Sequence, residues 1–374
     1  MVLGTFGRGF YVLDDYTPLR TIKKEELEKV ALLFPIKDAW MFVESVPLGV
    51  RGKGFQGESF YTASNPKPAA VFTYYLKEDI KTIKEKRRET EKEKTKNKVM
   101  FYYPSKDSIR LEDAQPAPHL LFVITDENGN EVRRLKAAAK KGLNRISWDF
   151  RYASFAPVDL GSFDESFVFN SQETGYTALP GNYKVSLSKF EDGNYTELVA
   201  PQNFKVKALN ASSLPAEDKK ALDAFGKKIA ELRRVSTATD AYRSEMIEKI
   251  KYIKQAILVN PKLSLSISES IHELEKRLNQ VNIKLNGDAS IARREFETLP
   301  SVNGRIGNIV GGLWSTTSAP TQTYINSYEI AKKQFSQVYQ EIKSISIELQ
   351  KLEQTLEMQQ TQFTPGRLPI WKMD

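Results

Sequence analysis

Two hydrophobic periods divide this chain of 374 residues. Before about residue 209 the apolar positions come in short alternating runs. Beyond it they recur every three or four positions. The first period belongs to half-buried strands and the second to amphipathic helices. Strand-like runs are "AAVFTYYL" (Ala69–Leu76), "HLLFVITD", "EVRRL", "NRISWDF" and the pair within "LPGNYKVSLSKFEDGNYTELVAPQNFKVKAL". "DENGN" and "EDGN" separate consecutive runs and read as hairpin turns. Several short strands joined by such turns predict an antiparallel β-sandwich. Ile146, Trp148 and Phe150 alternate, which places Trp148 in its core.

The helical half opens at "SLPAEDKKALDAF". Ser213 is a candidate cap, Pro215 suits a first turn, and Glu217 and Asp218 favour the helix dipole. Leu222, Phe225, Ile229 and Leu232 begin an apolar stripe that runs to Ile257, and "NPK" at Asn260 breaks it. A second stripe runs from Ile267 to Leu285. Residues Leu299–Thr321, rich in glycine and serine, read as a looser stretch. The last stripe is the most regular, from Tyr328 through Phe335, Ile342 and Leu349 to Leu356. Its 3-4 spacing predicts a helix of roughly 40 residues, about 60 Å long, in a long antiparallel helical bundle. The fold class is therefore α+β and multidomain.

Between the strands lies "KEDIKTIKEKRRETEKEKTKNK" (Lys77–Lys98), which carries much of the net charge of +8. Its mixed signs at helical spacing predict a solvated helix inserted between strands. No aromatic residue interleaves with its basic ones, so nucleic acid is not an expected partner. "GVRGKGFQGESFYTASNPKP" (Gly49–Pro68) has basic residues between glycines but no Gly-Lys-Ser/Thr. It reads as a rim loop of a β-domain rather than a phosphate loop. No apolar run is long enough for a membrane span. Residues 1–20 carry no signal-peptide pattern.

There is no cysteine, and the two histidines, His119 and His272, lie in different segments. Thiolate chemistry is excluded, and neither a metal site nor a cofactor is expected. Asp126, Asn128 and Asn130 alternate as in a calcium loop, yet Ala137 and Ala138 stand where the distal glutamate belongs. A turn is the better reading. Asp14 and Asp15 are adjacent, so in a strand they face opposite ways and cannot flank one glycosidic bond. Anchoring the loop is their expected role. No Gly-x-Ser-x-Gly elbow is present. Tyr102, Tyr103 and Tyr152 are candidates for stacking on a glycan.

"GTFGRGFYVLDD" (Gly4–Asp15) alternates aromatic and small residues almost at the start of the chain, like the end of a domain begun earlier. It resembles the "THGRGIWVLDD" signature that closes the β-propeller of bacterial BNR-repeat, sortilin-type proteins. These are sialidase-like and often labelled glycosyl hydrolases. The motif residues are Gly7, Arg8, Gly9, Asp14 and Asp15, and Phe6 stands where histidine is common. "LFPIKDAWMF", "GKGFQGESFYTASNP", "FTYYL", "ITDENGNEVRRL", "NRISWDFRY", "STTSAPT" and "FTPGRLPIW" continue the likeness in order.

The resemblance implies partial propeller-blade strands and an exit segment over residues 1–48 and an Ig-like sandwich over 49–209. The inserted helix falls at about 77–98, and the bundle covers 210–374. It also implies the C-terminal third of a larger extracellular or periplasmic protein. The expected partner is an upstream propeller domain, with a glycan or protein as further ligand. The expected role is accessory and scaffolding, without a catalytic centre in this chain. The alternatives are part of a glycoside hydrolase whose site lies mainly upstream, or a glycan-binding sandwich.

Overall fold

The alternating runs build two sheets around one core, and the helical stripes build a bundle. The computed structural model describes residues 1–44, 57, 65–158, 160–161, 174–210 and 215–371. Most of the glycine-rich Gly49–Pro68 loop and the candidate cap Ser213 lie outside the described residues. The chain divides into two compact units, Met1–Ala153 with Thr177–Ser213, and Ser154–Tyr176 with Leu214–Asp374.

The first unit opens with β1 (Val2–Thr5) and β2 (Gly9–Val12), a sheet of their own. A short helix α1 (Thr17–Thr21) and a 3-10 turn (Lys24–Glu28) lead to β3 (Ala31–Leu33) and β4 (Ala39–Met41). Then come β5 (Ala70–Leu76), α2 (Ile83–Lys96), α3 (Lys106–Ala114), β6 (His119–Asp126) and β7 (Glu131–Ala137). The unit ends with β8 (Gly142–Trp148), β9 (Gly181–Glu191) and β10 (Asn194–Ala208).

One sheet has the order β4-β10-β9-β6-β7 and the other β3-β5-β8. All their pairings are antiparallel except one: β4 runs parallel to β10, with Val206 opposite Ala39. This corrects the expectation of a wholly antiparallel structure. The link after β3 carries the chain from one sheet to the edge of the other. No hairpin turn fixes the direction of β4.

Alternate residues of both sheets meet in a single core. Phe72 of β5 lies 6.3 Å from Phe122 of β6 and 5.3 Å from Phe204 of β10, ring centre to ring centre. Trp148 is fully buried 5.0 Å from Tyr183, and its Nε1–H donates to the Arg151 carbonyl at 2.9 Å. Phe150 lies beyond the strand, where a φ of +60° turns its ring back into the core. Burying each such side chain stabilises by roughly 2–3 kcal/mol. Asp192 and Gly193 both have positive φ, 51° and 81°, and close β9–β10 as a two-residue loop. That backbone matches the twist of the strands.

The second unit contains α4 (Lys219–Val259), α5 (Ile267–Asn286), α6 (Ala289–Ala292), α7 (Val302–Leu313) and α8 (Gln322–Met358). The cap of α4 is Asp218, which accepts from the Ala221 amide at 2.9 Å. Asn260 ends this helix, as "NPK" predicts. At 41 and 37 residues, α4 and α8 are about 60 and 55 Å long.

Asp240 meets Asn286 and Lys254 meets Glu275, so α5 returns antiparallel along α4. Phe225 meets Tyr328, Tyr242 meets Ser346 and Lys249 meets Glu353, so α8 runs parallel to α4. Asn303 hydrogen-bonds Asn286, so α7 starts where α5 stops and both pack on α4 and α8. The path is up, down and up, with the descending limb broken between α5 and α7.

About half of the glycine-rich Leu299–Thr321 stretch is thus helical rather than loose. Four glycines there each cost about 1 kcal/mol of helix propensity. Burial of Val302, Ile306, Ile309 and Leu313 along one face outweighs that cost. Ser301 caps the helix at Gly304, and a side chain at Gly312 would overlap the Tyr324 hydroxyl.

Candidate docking surface

The hairpin that Gly4–Asp15 implies forms over Val2–Val12, and almost none of the described residues covers it. Val2 pairs with Val12, Leu3 with Tyr11, Gly4 with Phe10 and Thr5 with Gly9. Gly7 and Gly9 have φ of +71° and +90°, a backbone that side chains resist, which is why the tip needs them. The Thr5 hydroxyl donates to the Gly9 carbonyl, and Arg8 stands exposed within the turn. At the open end the Met1 amine donates to the Leu13 carbonyl, and the Leu13 amide donates back.

Successive side chains of a strand face opposite ways. Val2, Val12 and Phe10 therefore share one face, with the Phe10 ring lying beside Gly4. Leu3 and Tyr11 share the other. Both faces are apolar, a composition that belongs to a strand pair covered on two sides. Here Phe10 is 84% exposed, Val2 65% and Val12 63%, and Phe6 at the tip is fully exposed. Exposed ribbons with unpaired edges are templates for further strands.

The base of the hairpin is fixed. Arg145 of β8 donates to the Asp15 carbonyl at 2.7 Å, and the Asp15 carboxylate accepts from the Thr17 amide at 3.0 Å. Partial burial works to raise the Asp15 pKa. Hydrogen bonds from Thr17 and the charges of Lys37 and Arg145 outweigh it and hold the group below its ordinary value. Asp15 thus anchors the loop, and Asp14 is exposed. Arg145 lies within "NRISWDFRY", but nothing in that run marks it as an anchor; only the register of β8 against β5 brings it here.

The remaining candidates are dispersed. Tyr102 and Tyr103 are exposed in the link between α2 and α3, while Tyr152 packs against the core of the two sheets. His119 stacks on Phe190 at 4.7 Å and faces the Tyr195 hydroxyl. His272 is exposed on α5. The Asp126 carboxylate accepts hydrogen bonds from the Asn128 and Asn130 amides and the Asn130 side chain, closing the β6–β7 turn. Among the described residues, no group of three or more acidic or histidine side chains is placed to hold a metal ion. Among them too, no helix is long and apolar enough to cross a membrane.

A second apolar segment is displayed at the other end of the chain, in the second unit. Arg367 donates to Glu357 at 2.6 Å, to the Gln362 carbonyl and to the Thr364 hydroxyl. This clasp leaves Leu368, Ile370 and Trp371 exposed. No protein-family model matches the chain, and no curated protein matches it.

Proposed function

We propose that this chain is a non-catalytic accessory and scaffolding region of a secreted or periplasmic propeller protein of the BNR/sortilin type. Its β1–β2 hairpin is the element that joins the propeller. The observation that carries this reading is a hairpin apolar on both faces and bare on both. A last propeller blade would cover both faces and pair the free edges, removing the exposed ribbon. The ordered likeness from "GTFGRGFYVLDD" to "FTPGRLPIW" supports the same reading, as does the packing of two sheets that an Ig-like sandwich requires.

The chain contributes no catalytic centre of its own. The Asp15 carboxylate is spent on the loop while Asp14 stands exposed, and Tyr152 packs against the two-sheet core, apart from Tyr102 and Tyr103 in the α2–α3 link. The test places a photo-crosslinking phenylalanine analogue at Phe10 in the host cell. Crosslinks to propeller-repeat peptides are expected. Crosslinks confined to this chain's own two sheets would overturn the reading. The purified chain is also expected to leave aryl-glycosides and sialosides intact. Turnover abolished by a point change in this chain would replace the reading with a hydrolase.

A further inference from the structure

The inserted charged segment folds as a helical hairpin with a distinctive tip. Thr82 and Glu85 form a capping box that starts α2. Arg87 of α2 holds Glu112 of α3 through two bonds, Nε to Oε1 at 2.6 Å and Nη2 to Oε2 at 2.8 Å. Lys84 meets Asp113 at 3.0 Å, so the start of α2 lies beside the end of α3. The base hangs on the β9–β10 turn, where Gln115 donates to Asp192 and Lys86 lies 3.7 Å from Glu191. With α2 of 14 residues, the link to α3 projects about 20 Å from that base.

At the far end, the Val99 amide donates to the Lys94 carbonyl and Lys98 takes a φ of +56°. This turn stops the helix and delivers Val99, Met100, Phe101, Tyr102 and Tyr103 to the surface, all exposed. Lys92, Lys94, Lys96, Lys98 and Lys106 flank them, also exposed. A single carboxylate, Glu93, lies between Lys92 and Lys106.

We propose that this tip is a docking surface for an anionic lipid bilayer. Aliphatic and aromatic side chains enter the acyl boundary, tyrosines sit at headgroup depth, and the lysines meet lipid phosphates. Neither attraction is strong alone, and the two act together at such a surface. Val99 and Met100 favour lipid over a sugar or a nucleic acid. Those ligands use ring faces and leave aliphatic side chains without a role. The ion pairs at the base hold the tip away from the sheets, so docking needs no refolding of either. The proposal stands independently of the propeller assignment.

The test is sedimentation of the purified full chain with vesicles. One set is phosphatidylcholine alone, and the other contains about one-third phosphatidylglycerol. Binding to the anionic set, weakened by salt, is expected. The triple variant Met100→Ser, Tyr102→Ser, Tyr103→Ser and the double variant Lys96→Glu, Lys98→Glu are each expected to lose about tenfold or more. All five positions are exposed, so unchanged thermal melts will show that both variants fold. The variant Phe6→Ser, Phe10→Ser should bind vesicles like the parent, separating the tip from the bare β-hairpin. Equal binding to both vesicle sets, or undiminished binding by the triple variant, would overturn the proposal. So would binding of a soluble acidic polysaccharide that needs Tyr102 and Tyr103, with no vesicle binding.

Discussion

The hairpins β1–β2 and β9–β10 share one grammar and meet opposite fates. Each is an antiparallel ribbon closed by a turn containing positive-φ glycine. In β9, Tyr183, Val185 and Leu187 point one way into the core and the intervening residues are more exposed. In β1 and β2 both faces are apolar and neither is covered. Local sequence makes the ribbon in both places. Only β9–β10 has a paired strand on either side, β4 and β6, and a second sheet packed across its face. A two-stranded ribbon by itself is marginally stable in water. Under the proposed function, the apolar residues of β1–β2 are prepared for a surface supplied by something else.

The largest expected effect lies in the covered hairpin. Leu187→Asp puts a charge at a fully buried position and should cost more than about 4 kcal/mol. Loss of the near-ultraviolet signal of the aromatic core would report it. An unaltered denaturation midpoint would erase the contrast between the two ribbons.

Next comes the bundle seam. Leu349→Ala in α8 removes a buried side chain between long helices and should cost about 2–5 kcal/mol, read from far-ultraviolet melting. A cost below about 0.5 kcal/mol would mean that the site behaves like surface.

A smaller effect concerns the helical insertion. The hydrogen bond from Arg87, with its charge, holds the Glu112 carboxyl below its ordinary value, and partial desolvation opposes this. A lowered folded-state pKa gives stability that is present at neutral pH and is lost as pH falls through the folded value. The amide signals of α2 and α3 should loosen only below the ordinary carboxylate range, with those of β5 and β8, which carry no carboxylate, unchanged there. Loosening of the insertion near neutral pH would contradict the pairing.

The smallest effect is expected in the bare hairpin. Phe6→Ser with Phe10→Ser should shift stability by no more than about 0.5 kcal/mol, because both rings are already in water. Light scattering should show reduced self-association. A loss of several kcal/mol would mean that β1–β2 is part of the core after all.

Much of the architecture was legible in the pattern of the chain. Period-two burial in β6 and β9, the I′-type Asp192-Gly193 turn and the stripe of α8 all follow from local spacing. Three features did not. The parallel edge strand β4 depends on a sheet that assembles from residues far away in the chain. Helix α7 forms against the propensity of its glycines because α4, α5 and α8 bury its apolar face. Helix α3 is short, and its partner interaction, Arg87 with Glu112, spans residues with no shared motif.

The candidate surface was partly legible. The glycines and alternating aromatics of Gly4–Asp15 announced a hairpin. The anchor from Arg145 to Asp15 arises only when β8 is in register. Likewise the run Val99–Tyr103 became a tip only once α2 and α3 paired.

The central claim is that β1–β2 is a formed but unsupported element awaiting its cover. Hydrogen exchange of the purified chain measures this most directly. Weak protection is expected across Leu3–Val12, with strong protection at Leu120–Ile124, Val185–Leu187 and Phe335–Leu349. If Leu3–Val12 proves as strongly protected as Val185–Leu187, the hairpin is supported within this chain and the account fails.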